Sequence, residues 1–354
     1  MNTFWSGLAL VVVGGAMGGS FTVPLKYVRG WAWEKTWLLY SIVGMVVVPW
    51  MIVAWAVPNP AAVFASVAPR ELVTTALFGA GWGIGSVLFG LGVTRVGTAM
   101  AFAIVVSMTA TLGSLIPLAV LHPSELGSAR TLWLLLGLAI VLVGLTLCAR
   151  AGFLKEAAEK NTEKSRTPTK QEMSGTSAGH AASGFLGGLL ICLVAGVTSP
   201  MFNFSVAFGG NIQREAEHRG AEAAIASVAV IAVTVSAGFL TNALYCLYLL
   251  RRNRTLRSAP GSPLLANSAL VIVMGLLWML GMFFYGVGAS RMGERGPVLG
   301  WPLFMTLMVL MGNFWGTVTG EWKRSGRRAY LLLQLGNAAM VVAFIVISVG
   351  TRPS

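Results

Sequence analysis

Ten unbroken apolar runs, each about twenty residues long, set the limits on what this chain can fold into. They lie near residues 4 to 24, 37 to 57, 72 to 93, 97 to 121, 131 to 150, 184 to 206, 223 to 250, 267 to 289, 297 to 319 and 330 to 350. A helix rising about 1.5 Å per residue needs a run of that length to cross a hydrocarbon core of about 30 Å. Lipid offers no partner to a backbone amide, so only helices and closed barrels span it. Barrel strands alternate apolar and polar residues over about ten positions, and these runs do not alternate. The expected fold is therefore an all-α integral membrane protein with ten transmembrane helices. Composition excludes a soluble core: 56% of the residues are hydrophobic and 10% are charged, against about 25% charged in a soluble domain.

The net charge of +13 does not point to nucleic acid, because the basic residues sit in short clusters between apolar spans. Assigning the loops alternately to two sides places eighteen of the 25 Lys and Arg on one side and seven on the other. The richer side holds Lys26, Arg29, Arg95, Lys155, Arg251, Arg252, Lys323 and Arg327 among others. By the positive-inside rule that side is cytoplasmic, so both termini are expected outside. Residues 1 to 21 lack the basic n-region of a signal peptide and read as the first span. Cys148, Cys192 and Cys246 fall in or beside apolar spans without metal-site spacing, and His122, His180 and His218 are expected in loops or the polar segment after Lys155. No metal or cofactor is expected, and no glycine run follows the strand that a nucleotide-binding loop requires.

From Lys155 to Ser183 the composition turns to Glu, Lys, Thr, Ser and Gly, too polar to bury and expected to be a disordered cytoplasmic linker. It separates a first five-helix half, residues 1–154, from a second, residues 184–354. An odd number of spans per half means that any internal repeat is inverted across the membrane. The third and eighth spans align at a constant offset of 196: Trp82 with Trp278, Gly85 with Gly281, Gly90 with Gly286, Gly92 with Gly288, Arg95 with Arg291 and Gly97 with Gly293. Phe89 falls opposite Tyr285 in the same register. Two inverted five-helix repeats are the expectation.

Several stretches resemble the signatures of the L-rhamnose/proton symporter family, a branch of the drug/metabolite transporter superfamily. They are Pro24 to Val28, Trp31-Ala32-Trp33-Glu34-Lys35-Thr36-Trp37, Phe78-Gly79-Ala80-Gly81-Trp82-Gly83-Ile84-Gly85, Phe283-Phe284-Tyr285, Glu321-Trp322-Lys323 and Gly326-Arg327-Arg328. The resemblance runs nearly end to end, excluding the linker. It implies a ten-helix bundle in a bacterial inner membrane that imports a deoxyhexose together with a proton. The segments Ser290 to Pro297 and Gly300-Trp301-Pro302 depart from the enteric members, which leaves the sugar and the coupling ion open.

A sugar presents hydroxyls that need hydrogen-bond partners and a C–H face that packs on aromatic rings. Amides, hydroxyls and aromatic residues inside spans are therefore the candidates: Asn203 between Phe202 and Phe204, Asn313 near Trp315, Ser107 and Thr111 on one face of the fourth span with Ser114, and Tyr285. Trp82 and Trp278, related by the repeat, approach the pseudo-twofold axis together and either wall a cavity or fill the core. Each amide and hydroxyl has a plainer role open to it, an interhelical or local backbone hydrogen bond; so have Asn242, Gln334 and Asn337. No Asp, Glu or His lies at the centre of a span, so a proton carrier does not emerge from the residues. Glu34, Glu294 and Glu321 are the carboxylates near membrane depth; Glu34 and Glu321 are placed to pair with Lys35 or Lys323 or to cap a helix, and Glu294 lies beside Arg291 and Arg295. The competing functions are an exporter of drugs or amphipathic metabolites, which a purely aromatic cavity would favour, and a membrane enzyme, for which no catalytic cluster is found.

Overall fold

The computed structural model describes residues 3–166, 178–257, 259–323 and 325–351, and among these the chain is helical without strands. Ten helices are long and apolar enough to span a bilayer: α1 (Thr3–Tyr27), α2 (Trp33–Ala56), α3 (Pro69–Val96), α4 (Thr98–Leu121), α5 (Ala129–Ala158), α6 (Phe185–His218), α7 (Ser227–Asn253), α8 (Leu264–Arg291), α9 (Gly296–Val318) and α10 (Arg327–Gly350). The expected number of spans is found, and their ends differ mainly where the backbone chemistry changes inside a run. The start of α1 and the end of α10 share a face, since Phe4 and Thr351 line one cavity; we call it the terminal face.

Two of the spans are longer than hydropathy indicated. The sixth, expected to stop near residue 206, continues to His218 as three stacked segments, Ala178–Thr198, Met201–Phe208 and Gly210–His218. Pro200 has no N–H to continue the ladder and starts the second segment, and Gly209 marks the next break. The fifth passes the boundary expected at residue 154 and is helical to Arg166. The segment expected to be a disordered linker thus has helix at both ends, and residues 167–177 lie outside the described residues. In α2 a wider turn over Val43–Val47 precedes Pro49, whose missing N–H leaves the carbonyl of Met45 without its usual donor.

Close glycine contacts set the helix neighbours. Gly7 and Gly14 of α1 lie against Gly288 and Gly281 of α8, where an added Cβ would come 2.6 and 2.7 Å from the facing carbonyl oxygens. Gly83 of α3 meets Gly238 of α7 in the same way. Small residues let backbones approach where dispersion, not hydrophobic exclusion, holds helices together. The pairing follows one rule in both halves: α1 packs on α8 and α9, and α6 on α3 and α4; α3 packs on α7, and α8 on α2; α4 adjoins α5, and α9 adjoins α10. Three contacts join like to like, α2 with α7, α4 with α9 and α5 with α10. The turn between α3 and α4 is the single residue Gly97 at φ 86°, and Gly293 between α8 and α9 has φ 88°. That conformation suits glycine and strains any residue with a Cβ.

Candidate functional site

Trp82, about midway along α3, and Trp278, about midway along α8, stack on each other with ring centroids 5.6 Å apart and planes at 20°. The two spans that align at an offset of 196 thus meet at their matched tryptophans. Tyr40 of α2 stands edge-on to Trp278 at 6.3 Å, and Phe202 of α6 edge-on to Trp82 at 5.6 Å. Phe202 then stacks on Trp301 of α9 at 5.7 Å, and Trp301 continues to Tyr285 and Phe304. The result is a continuous aromatic column through the middle of the bundle, contributed by α2, α3, α6, α8 and α9.

One amide ties this column together. The side chain of Asn203, fully buried in α6, donates to the carbonyl of Gly113 in α4 at 2.7 Å and to that of Pro297 in α9 at 3.0 Å. Its oxygen accepts from the hydroxyl of Tyr285 in α8. The Gly113 carbonyl is available for a reason visible in the sequence. Its helical donor would be the N–H four residues on, and that residue is Pro117. Beside it the indole of Trp301 donates to the carbonyl of Thr109 at 2.9 Å and occupies the space that any side chain at Gly113 would need. Trp301 and Gly113 were not among the residues expected at the site; Pro117 inside an apolar run was the signal for a carbonyl looking outward from α4.

The α4 hydroxyls divide. Thr109 bonds its own backbone at the Val105 carbonyl, 2.6 Å away, whereas the buried oxygens of Thr111 and Ser114 have no hydrogen-bond partner among the described residues. Ser107 is half-buried on the same face. Asn313 lies away from the column: its amide donates to Asn337 of α10 at 2.7 Å and approaches the thiol of Cys148 in α5 at 3.5 Å. Asn242 accepts from the Trp37 indole at 3.4 Å. Gln334 is exposed on the surface of α10 near its start.

The carboxylates also find partners that neighbour-by-neighbour reasoning did not supply. Glu34, buried in the first turn of α2, accepts from Asn253, at 3.0 Å, and from Thr255 beyond the end of α7, while the Lys35 ammonium lies 4.9 Å over the Trp31 ring. Glu321 pairs with Lys26 at the end of α1 and stands 3.8 Å from Lys155 at the end of α5, so Lys323 is not the partner found. On the terminal face Arg295 pairs with Glu125, between α4 and α5, at 2.6 Å, and not with Glu294. Glu294 is exposed and lines a cavity of about 230 Å³ with Phe4, Arg130, Arg295, Leu299 and Thr351. Among the described residues no group of His, Cys, Asp or Glu has the arrangement of a metal site.

Ten spanning helices around a buried column of aromatic rings and amides, with ion pairs at both faces, define a multi-pass integral membrane protein. Its relatives narrow the class. A family profile described as L-rhamnose-proton symport protein (RhaT) matches residues 1–352, and the chain belongs to that family. Proteins named L-rhamnose-proton symporter from Cronobacter sakazakii and Citrobacter koseri are each 29% identical to it over 362 and 361 residues, covering 99% of this chain and 98% and 97% of theirs. One from Escherichia coli is 29% identical over 367 residues, 99% of this chain and 97% of its own.

Proposed function

We propose that the protein imports L-rhamnose or a closely related deoxyhexose with a proton, by alternating access around the aromatic column. The observation that carries this reading is the match to the family over residues 1–352, which spans both halves of the bundle and every helix of the column. That match does not favour the exporter reading.

The site takes its chemistry from the sugar. The stacked Trp82–Trp278 pair offers an indole face to the C–H side of the pyranose ring or its methyl group. Ser107 and Thr111 supply hydrogen-bonding groups to its hydroxyls and Asn203 the remaining lone pair of its amide oxygen, with Tyr285 fixing the orientation of that amide. The unpartnered oxygen of Thr111 suits a substrate that brings its own hydroxyl, because a buried unpaired polar group is costly to leave empty-handed. Asn313, bonded into the α5–α10 side, is better suited to holding α9 against its neighbours than to touching sugar.

Movement around that site follows from an inverted repeat. Exchanging α1–α5 with α6–α10 carries the main helix contacts of the fold onto one another, maps α2–α7, α4–α9 and α5–α10 onto themselves, and matches two turns made by glycines at positive φ. Two halves so related can exchange conformations and move the opening from one face to the other. The excess of Lys and Arg on the face opposite the termini makes that face cytoplasmic and the terminal face outer. A transporter of this design has no covalent chemistry to perform, so we assign no catalytic residue.

Uptake of labelled L-rhamnose into proteoliposomes, with and without an inward proton gradient, tests the proposal. Accumulation above equilibrium that a protonophore collapses is the expected result. Equilibration indifferent to the gradient would remove the proton, and no uptake would remove the sugar.

A further inference from the structure

The internal offset of 196 extends beyond the third and eighth spans to two carboxylates. Glu125, between α4 and α5, and Glu321, between α9 and α10, stand in the same register, and each is the anion of an ion pair that joins separate helices. They lie at opposite faces. Glu125 binds Arg295 at the start of α9, with side chains about one-quarter exposed. Glu321 binds Lys26 at the end of α1, which also donates to Thr319 at 2.9 Å, and Lys155 closes on the same carboxylate from α5.

We propose that Glu125 and Glu321 are the paired gate carboxylates of this protein, one closing each mouth. The proposal rests on the alternating-access reading above. Glu125–Arg295 ties the α4–α5 corner to the α8–α9 turn across the outer mouth; Glu321–Lys26–Lys155 ties the α9–α10 corner to the ends of α1 and α5 across the inner one. The corners are equivalent in the repeat, and in this structure both pairs are made at once, so opening either mouth breaks its own pair while the other stays closed. The cations are not equivalent: an arginine pairs outside and two lysines pair inside. Arginine holds a carboxylate through a fixed fork and lysine through a mobile point charge, which makes the inner mouth the looser of the two.

Exposed ion pairs contribute little to the stability of a fold. Removing one of these therefore leaves the bundle intact and shifts the balance between two conformers of similar energy. In a background lacking Cys148, Cys192 and Cys246, two reporters read that balance: Leu299→Cys, buried beneath Arg295 on the outer cavity, and Ser20→Cys, part-buried near the inner end of α1 where its hydroxyl accepts from Trp315. A membrane-impermeant thiol reagent is applied to intact cells for the first and to inverted vesicles for the second, without sugar.

Glu125→Gln is expected to raise labelling of the outer reporter about five-fold and lower that of the inner one. Glu321→Gln is expected to do the reverse, by a similar factor. The exchanged pair Glu125→Arg with Arg295→Glu is expected to restore the parental pattern. Labelling that rises at both faces together, or that does not change, overturns the proposal. So does failure of the exchanged pair to restore the pattern, which decides the matter if a single variant does not reach the membrane. The readout needs no substrate, so it stands apart from the outcome of the rhamnose uptake assay.

Discussion

Asn203 shows how one side chain can hold four helices in register. Its amide joins α6 to carbonyls of α4 and α9 and to the Tyr285 hydroxyl of α8, all away from water. Asn203→Leu keeps the volume and strands those groups, at about 1–3 kcal/mol for each one left unpaired. A lowered unfolding temperature of the purified protein in detergent is expected, together with loss of uptake. The two tryptophans behave differently because they carry no such bonds to each other. Trp82→Ala removes one face of the stack and is expected to raise the KM for L-rhamnose about two- to tenfold, the range of an aromatic contact, while Trp82→Phe retains most of the affinity. Transport kinetics in proteoliposomes distinguish the two substitutions. At this scale the sequence was only partly readable. Amides inside apolar runs announced buried polar contacts, but their partners lie far off along the chain: Gly113 is 90 residues from Asn203 and Glu321 is 295 from Lys26. A search among neighbours therefore chose Lys323 for Glu321 and missed Glu125 altogether.

Among elements, the spans were legible because an apolar run of about twenty residues admits little else. Their details were not, since hydropathy does not register hydrogen bonds. Pro200 interrupts the ladder of α6 inside an apolar run, the polar residues after Gly209 continue it as helix to His218, and the polar residues after Lys155 stay helical to Arg166. The turns made by Gly97 and Gly293 are the clearest case of an element fixed by one residue. Each reverses the chain between two spans at positive φ, and alanine there costs about 1–3 kcal/mol in backbone strain. On the alternating-access proposal, Gly97→Ala and Gly293→Ala are expected to reduce transport rate more than affinity, because the strain falls on a turn between helices and not on the column. Initial-rate measurements across L-rhamnose concentrations check this: a rise in KM with unchanged maximal rate would contradict it.

For the whole molecule, the pattern of contacts matters more than any one of them. Each half is not a compact unit beside the other; α1 lies against α8 and α9, and α6 against α3 and α4, so the halves are interlaced. Sequence offset pointed to the repeat through six matched residues in one pair of spans, but the interlacing depends on tertiary packing that no single span encodes. The site inherits this arrangement. Its column draws on α2 and α3 from the first half and α6, α8 and α9 from the second, so neither half owns the whole column.

The seam between α5 and α10 carries this further. There Gly144 and Gly336 lie backbone to backbone, and Ile347 fills the space above Gly137, so the last helix of one half is held to the last helix of the other by close packing along their length. The peptide bond joining the halves is then redundant for assembly. Two genes, one encoding residues 1–166 and one encoding residues 178–354, are expected to yield partners that find each other in the bilayer and restore growth or uptake when expressed together, with neither active by itself. Co-purification through a tag on one fragment checks the association. Two fragments that insert but do not associate would mean that tethering, not the seam, keeps the halves together.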